Sequence, residues 1–144
     1  MILDREENNL IIPQNNMKKK ILVIDDEQAI RLLLENFLSE SFDVTCKSNG
    51  REALEWLEGD IPDLIICDIQ MPVMDGYQML EQLRNRSYTK HTPVIMLSSH
   101  ETSKERVRSY KLGAQDYLTK PFNPEELEEI IRKNLNPIHY AISW

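Results

Sequence analysis

The chain has 144 residues, 41% of them hydrophobic, and a formal net charge of −7 at pH 7, a length that suits one globular domain with a full core. The negative charge disfavours a broad nucleic-acid or anionic-membrane surface, because both surfaces need clustered Lys and Arg. The sequence has no apolar run of about 18 residues that would predict a membrane span, no secretory pattern at its start and no C-x-x-C pair, so we expect a cytoplasmic protein that binds neither nucleic acid nor a membrane directly.

Residues 1–17 begin the chain with a mostly polar stretch, "MILDREENNLIIPQNNM", that has no clear period. We expect a flexible leader, and docking of this leader on a partner is the alternative. From residue 18 to residue 136, apolar strand-like runs alternate with amphipathic helical patterns, which predicts a single domain. Residues 137–144 are too few for a further fold and are expected to form a short tail.

Five segments of this domain have the composition of β-strands. Three are continuous apolar runs, typical of parallel strands covered on both faces: "ILVI" (21–24), "LIIC" (64–67) and "VIML" (94–97). Two others are alternating or short and favour edge strands: "DVTCK" (43–47) and "DYL" (116–118). Helical spacing of apolar residues follows each strand. The sequence therefore predicts a flavodoxin-like (βα)5 fold, an α/β doubly wound parallel sheet with strand order 2-1-3-4-5.

Acidic side chains stand where two neighbouring strands of this sheet end. The first strand runs into Asp25 and Asp26, and the third runs into Asp68. Neighbouring parallel strands lie about 4.8 Å apart, so these carboxylates converge and need a cation to offset their repulsion. Oxygen ligands around an open cavity suit Mg²⁺. The fourth and fifth strands add Ser98 and Lys120, which can hydrogen-bond and neutralise a phosphoryl group attached to Asp68.

Each of these residues also has an ordinary structural explanation. Asp25 and Asp26 could cap the following helix, and Asp68 could be a strand-end turn residue. Ser98 could bond to the backbone, and Lys120 could be a solvated surface lysine. The joint arrangement on four strand ends is what favours a phosphoryl site.

Four motifs, in order and at matching spacing, make the chain resemble the receiver domain of bacterial two-component response regulators, of the chemotaxis-regulator type. They are "ILVIDDE", "LIICDIQMPVMDG", "VIMLSS" and "GAQDYLTKPF", and the resemblance spans roughly Lys18 to Leu135. The resemblance implies a regulatory phospho-acceptor in two-component signal transduction rather than an enzyme. Asp68 would take a phosphoryl group from a histidine kinase, with self-phosphotransfer and autodephosphorylation as the accompanying chemistry.

The same resemblance implies a ligand set for Mg²⁺ or Mn²⁺. Asp26, Asp68 and the backbone carbonyl of Gln70 would bind the ion directly, and Asp25 would bind it mainly through water. The side chain of Gln70 also occupies a position that resembles a rate-tuning site of the family, next to the water that attacks the acyl phosphate.

Roles for the remaining site residues follow from the same resemblance. Lys120 would contact the phosphoryl oxygens, and its peptide bond to Pro121 would be cis. Ser98 would move toward the phosphoryl group, and Tyr117 would turn inward behind it. His100 occupies a second position that resembles a rate-tuning site.

The expected output surface comprises the fourth helix, the fifth strand and the fifth helix. The fourth helix is basic and the fifth begins acidic, which favours either a charge-paired homodimer or partner surface, or two separately solvated faces. The basic residues are Lys104, Arg106, Arg108 and Lys111, and the acidic ones are Glu125, Glu126, Glu128 and Glu129. The expected partners are a sensor histidine kinase or phosphotransfer protein and a downstream protein.

Other functions fit the sequence less well. A phosphohydrolase with an aspartyl nucleophile would resemble D-x-D-x-T, whereas Asp68 is followed by "IQMP". A nucleotide or flavin carrier would need a phosphate-cradling loop, and the four glycines are not clustered. An inactive pseudo-receiver is disfavoured because every chemical position is filled. We expect a stand-alone receiver, and the receiver piece of a longer regulator is the alternative.

Overall fold

The computed structural model describes residues 17–136, in which five strands alternate with five helices. The strands are Lys20–Ile24 (β1), Asp43–Lys47 (β2), Leu64–Asp68 (β3), Val94–Ser98 (β4) and Asp116–Thr119 (β5). The helices are Gln28–Leu38 (α1), Gly50–Trp56 (α2), Gly76–Arg84 (α3), Ser103–Lys111 (α4) and Pro124–Leu135 (α5). The predicted leader, apart from residue 17, and the predicted tail lie outside the described residues.

The five strands are parallel and follow the order β2-β1-β3-β4-β5, which confirms the predicted fold. The two strands with weaker apolar patterns, β2 and β5, lie at the edges. Every residue of β3 and β4 is buried, whereas no residue of β2 is fully buried. Burial on both faces is the reason that the central strands are apolar throughout.

Consecutive residues of each central strand enter two different hydrophobic cores, because side chains alternate across a strand. In β1, Ile21 and Val23 pack in the core beneath α1 and α5, and Leu22 and Ile24 pack in the core beneath α2 and α3. The two cores hold the sheet between two helical layers. Residues 17–136 contain no helix with the length and apolar character that a membrane span requires.

Strand register brings the functional candidates to one edge of the sheet. Ile24 of β1 lies opposite Cys67 of β3, so the residues that follow them, Asp25 and Asp68, lie side by side. Ser98 is the last residue of β4, and its carbonyl accepts a hydrogen bond from the backbone N–H of Lys120 at 2.7 Å. We use the term carboxyl edge for the side of the sheet at which the carboxyl ends of all five parallel strands lie.

Candidate functional site

Three carboxylates converge at the carboxyl edge, as the strand order predicts. Asp25, Asp26 and Asp68 each offer an oxygen atom, and these atoms lie within 4.8 Å of one another. Asp25 and Asp68 are buried by the ends of β1 and β3, whereas Asp26 is exposed at the start of the turn into α1. The cluster therefore has a buried base and a side open to solvent.

The ammonium group of Lys120 lies among these acids. Its Nζ atom is 2.9 Å from Asp25 Oδ2, 3.3 Å from Asp68 Oδ1 and 2.7 Å from Glu27 Oε1. Burial alone would lower the pKa of Lys120, but the hydrogen bonds and negative charges of its partners outweigh burial and raise it. Lys120 is therefore a permanent cation at the site. Its peptide bond to Pro121 is cis, as predicted.

One ammonium does not offset the charge of the buried acids. Burial raises the pKa of Asp68 to about 7, and the negative charge of Asp25 adds to the rise while Lys120 opposes it. Burial likewise raises the pKa of Asp25, although the backbone N–H of Glu27 and the charge of Lys120 favour its ionised form. The pocket therefore favours an additional positive charge.

The residues present fit a divalent cation. Asp25 Oδ2 and Asp68 Oδ1 are buried oxygen atoms that accept no directed hydrogen bond from the described residues, although each has an ionic contact with Lys120. All three side chains offer hard oxygen donors, which suit Mg²⁺ better than a soft transition metal. The structure thus contains an acidic cluster able to hold a metal ion.

Ser98 lies at the end of β4, within a cluster of polar side chains. Its Oγ atom is 3.2 Å from Gln70 Nε2 and 3.1 Å from Glu105 Oε1. Gln70 Oε1 accepts a hydrogen bond from the backbone N–H of Ser99 at 3.0 Å. The predicted rate-tuning amide is therefore in direct contact with the predicted switch hydroxyl.

Tyr117 lies on β5, and His100 lies in the loop that follows β4. The Tyr117 ring is already buried, and its hydroxyl donates a hydrogen bond to the backbone carbonyl of His100 at 2.7 Å. His100 itself is exposed, with Nδ1 2.8 Å from Glu105 Oε2. The inward position of Tyr117 is thus present in this structure, whereas a rotation into it on phosphorylation stays a prediction.

Sequence reasoning overlooked two glutamates that bond to the predicted residues. Glu27 follows the acidic pair directly and contacts Lys120. Glu105 lies in the first turn of α4, three residues after the capping residue Thr102. The T-x-x-E pattern of a helix start was a signal for its position, but it gave no indication that the carboxylate would reach Ser98.

Comparison with known proteins agrees with this geometry. The family model described as "Response regulator receiver domain" matches residues 21–132. A probable transcriptional regulator, ycf27, of Porphyridium aerugineum is 42% identical over 127 residues, which cover 88% of this chain and 52% of that protein. The alkaline phosphatase synthesis transcriptional regulatory protein PhoP of Bacillus subtilis is 41% identical over 117 residues, covering 81% and 48%. The chain spans about half the length of these curated relatives.

Solved structures show the same architecture. The chemotaxis protein CheY4 of Vibrio cholerae superimposes with a TM-score of 0.79 at 34% identity, covering 82% of this chain and 99% of that one. The receiver domain of a sensor histidine kinase from Pseudomonas aeruginosa, with a magnesium ion in its active site cleft, gives a TM-score of 0.76 at 28% identity, covering 83% and 98%. The family model matches most of the chain, and the acid, hydroxyl and ammonium groups lie together at the carboxyl edge. This chain therefore belongs to the response regulator receiver domains of two-component signal transduction.

Proposed function

We propose that Asp68 is the phosphoryl acceptor of this receiver and that Lys120 and Ser98 assist the transfer. The observation that carries this proposal is the ion pair at the carboxyl edge, where the Lys120 ammonium lies 3.3 Å from a buried Asp68 oxygen. Asp68 ends β3, which lies between β1 and β4 in the sheet. A group attached to Asp68 would therefore be flanked by the Lys120 ammonium and the Ser98 hydroxyl.

The transfer step is a displacement at phosphorus. An Asp68 carboxylate oxygen attacks the phosphorus of a phosphohistidine, an O–P bond forms and the N–P bond breaks, and its electron pair returns to the imidazole nitrogen. Lys120 offsets negative charge on the phosphoryl oxygens. Autodephosphorylation is attack by water on the same phosphorus, which releases phosphate and restores the carboxylate.

We propose that Mg²⁺ is held by four groups: the side chains of Asp25, Asp26 and Asp68 and the backbone carbonyl of Gln70. When bound, the ion would neutralise charge on the transferring phosphoryl group. Asp25 is the most deeply buried of the three acids, and its Oδ2 atom is paired with Lys120 at 2.9 Å, so we propose that it contacts the ion less directly, through water.

The proposed switch runs from Ser98 to the start of α4. A phosphoryl group on Asp68 would draw the Ser98 hydroxyl toward it, and the β4–α4 loop that carries His100 would follow. Tyr117 is bonded to that loop, so the change would reach β5. The surface of α4, β5 and α5 is therefore the proposed binding site for a downstream protein or a second copy of the chain.

The proposed domain comprises residues 18–136, and the proposed phosphoryl donor is a sensor histidine kinase or a phosphotransfer protein. The match covers only about half the length of the relatives that are named as transcriptional regulators. Output through a DNA-binding region is thus a second possibility beside direct protein contact.

Intact-mass analysis after incubation with acetyl phosphate and Mg²⁺ tests the acceptor assignment. We expect a single phosphoryl addition in the wild-type protein and none in Asp68→Asn. Asp43→Asn is the matched control, because Asp43 is an exposed acid at the opposite edge of the sheet. Addition to Asp68→Asn at the wild-type level would overturn the assignment, and continuous hydrolysis of small phosphoesters would favour a phosphohydrolase.

A further inference from the structure

The carboxylate of Glu105 joins three of the proposed site residues. Its Oε1 atom lies 3.1 Å from Ser98 Oγ and 3.5 Å from Gln70 Nε2, and its Oε2 atom lies 2.8 Å from His100 Nδ1. Three-quarters of the Glu105 side chain is shielded from solvent. These contacts place a negative charge at the hydroxyl that is proposed to serve the phosphoryl group.

At the start of α4, the Glu105 carboxylate is not used for helix capping. In a complete capping box, as at Asp75 and Gln78 of α3, the side chain of the third helical residue returns to the capping residue. In α4, Thr102 Oγ1 accepts from the backbone N–H of Glu105 at 3.2 Å, but the Glu105 carboxylate contacts Ser98 and His100. The side chain therefore connects the first turn of α4 to the end of β4.

A serine hydroxyl carries one hydrogen atom, and this limits what Ser98 can do at one time. Its nearest acceptor is the charged Glu105 Oε1 at 3.1 Å, closer than Gln70 Oε1 at 3.4 Å. A phosphoryl group on Asp68 would bring a charge near −2 and would need the same hydrogen. It would also repel a carboxylate in this position.

We propose that Glu105 is a positioning residue that holds the Ser98 hydroxyl away from Asp68 and is displaced when a phosphoryl group arrives. This inference rests on the proposed function, since it concerns the same hydroxyl. Displacement of Glu105 breaks the link between β4 and the first turn of α4. The receiver surface thus changes only when the phosphoryl group competes successfully for Ser98.

A simpler role for Glu105 is that of a first-turn acid, which is favoured by the helix dipole alone. In that case its removal would change anion binding through charge and would do so whether or not Ser98 has a hydroxyl. Glu101 gives the matched comparison: it lies in the loop just before α4, is exposed, and makes no hydrogen bond or ion pair with the described residues.

The test is the affinity for beryllofluoride, a phosphoryl mimic, measured by calorimetry in Mg²⁺ for wild-type, Glu105→Ala, Glu105→Gln and Glu101→Gln proteins. We expect Glu105→Ala to bind about tenfold more tightly, because a hydrogen bond to a charged acceptor no longer competes. Glu105→Gln should gain less, since its amide oxygen can still accept, and Glu101→Gln should gain least.

The same substitutions in a Ser98→Ala background separate positioning from charge. We expect the gain from Glu105→Ala to fall there to that of Glu101→Gln. An undiminished gain in that background would overturn the inference, as would wild-type affinity in Glu105→Ala. A wild-type protein that neither binds beryllofluoride nor accepts a phosphoryl group would overturn the proposed function and this inference together. A protein that does both, with no effect of Glu105→Ala, would overturn this inference alone.

Discussion

At the scale of single residues, Lys120 is the cation that offsets part of the negative charge of the site. Its ammonium contacts Glu27, Asp25 and Asp68 at once, so one positive charge is shared among three negative ones. Asp25 and Asp68 are buried, and buried carboxylates that are incompletely paired destabilise the folded state. The arrangement around the proposed acceptor Asp68 therefore lowers the stability of the metal-free domain.

Replacement of Asp68 by Asn should stabilise the metal-free protein at pH 8. The pKa of Asp68 is raised from 3.8 to about 7 on folding, so the unfolded chain loses its proton first and stability falls as pH rises between these values. Three pKa units correspond to about 4 kcal/mol. Asn avoids this loss but also gives up the ion pair with Lys120, so we expect a net gain of about 2 kcal/mol at pH 8. Urea unfolding without divalent cations measures the gain.

Urea unfolding of both proteins at several pH values between 8 and 5 is the internal control for this prediction. The gain should shrink steadily from pH 8 to pH 5, because Asp68 becomes protonated in the folded protein. A gain that is independent of pH would mean that the substitution acts through packing rather than through the charge of Asp68.

At the scale of elements, the start of α3 fixes the end of β3. A Cβ atom on Gly76 would lie 2.5 Å from the Asp68 carbonyl oxygen and 2.6 Å from Ile69 Cα. The backbone N–H of Gly76 donates to the Ile69 carbonyl at 2.9 Å, and Asp75 caps the helix. Gly76 is thus needed for close approach of helix and strand, which holds the Asp68 backbone in place.

Gly76→Ala should destabilise the domain by about 2 kcal/mol, because the added methyl group meets backbone atoms that cannot rotate away. It should also slow phosphoryl addition to Asp68, since the strand end must shift. Denaturant unfolding and the mass assay measure the two effects. Gly59→Ala is the control, because a Cβ atom there meets nothing within 4 Å. Equal stability of the two variants would contradict the close-approach argument.

The sequence was sufficient to predict the elements and their order. Continuous apolar runs identified the three central strands, and the weaker runs identified β2 and β5 as edges. Because parallel strands end at the same edge, the convergence of Asp25, Asp68, Ser98 and Lys120 followed from strand order alone. These predictions depend on periodicity and topology, which a sequence displays directly.

Contacts that depend on side-chain conformation could not be predicted from periodicity and topology. Whether Glu105 returns to Thr102 or reaches Ser98 depends on its side-chain torsions and on the distance from β4 to α4. Two basic residues of α4 also make cation–π contacts within the domain. The guanidinium carbon of Arg106 lies 5.1 Å from the centroid of the Tyr117 ring, and that of Arg108 lies 3.9 Å from the centroid of the Tyr77 ring. Charge counts along a helix do not distinguish such contacts from a solvated face.

At the scale of the whole molecule, four of the five strands contribute to one site, and two cores hold the sheet in register. Asp25 follows β1, Asp68 ends β3, Ser98 ends β4 and Lys120 follows β5, so no single element contains the site. A ligand that joins these groups stabilises the complete fold, because it binds the native arrangement and not the separated strands. The proposed Mg²⁺ site therefore has a consequence for global stability.

Added Mg²⁺ should raise the melting temperature of the wild-type protein at pH 8. At a concentration ten times its dissociation constant, the ion contributes about 1.4 kcal/mol, or roughly 4 °C for a domain of this size. Asp26→Asn should lose most of this shift, because it removes an exposed oxygen donor of the proposed site and leaves both cores untouched. Asp43→Asn should keep it, since Asp43 lies at the amino end of β2. An equal shift in all three proteins would show that Mg²⁺ stabilises the domain by general screening of its negative charge rather than at the carboxyl edge.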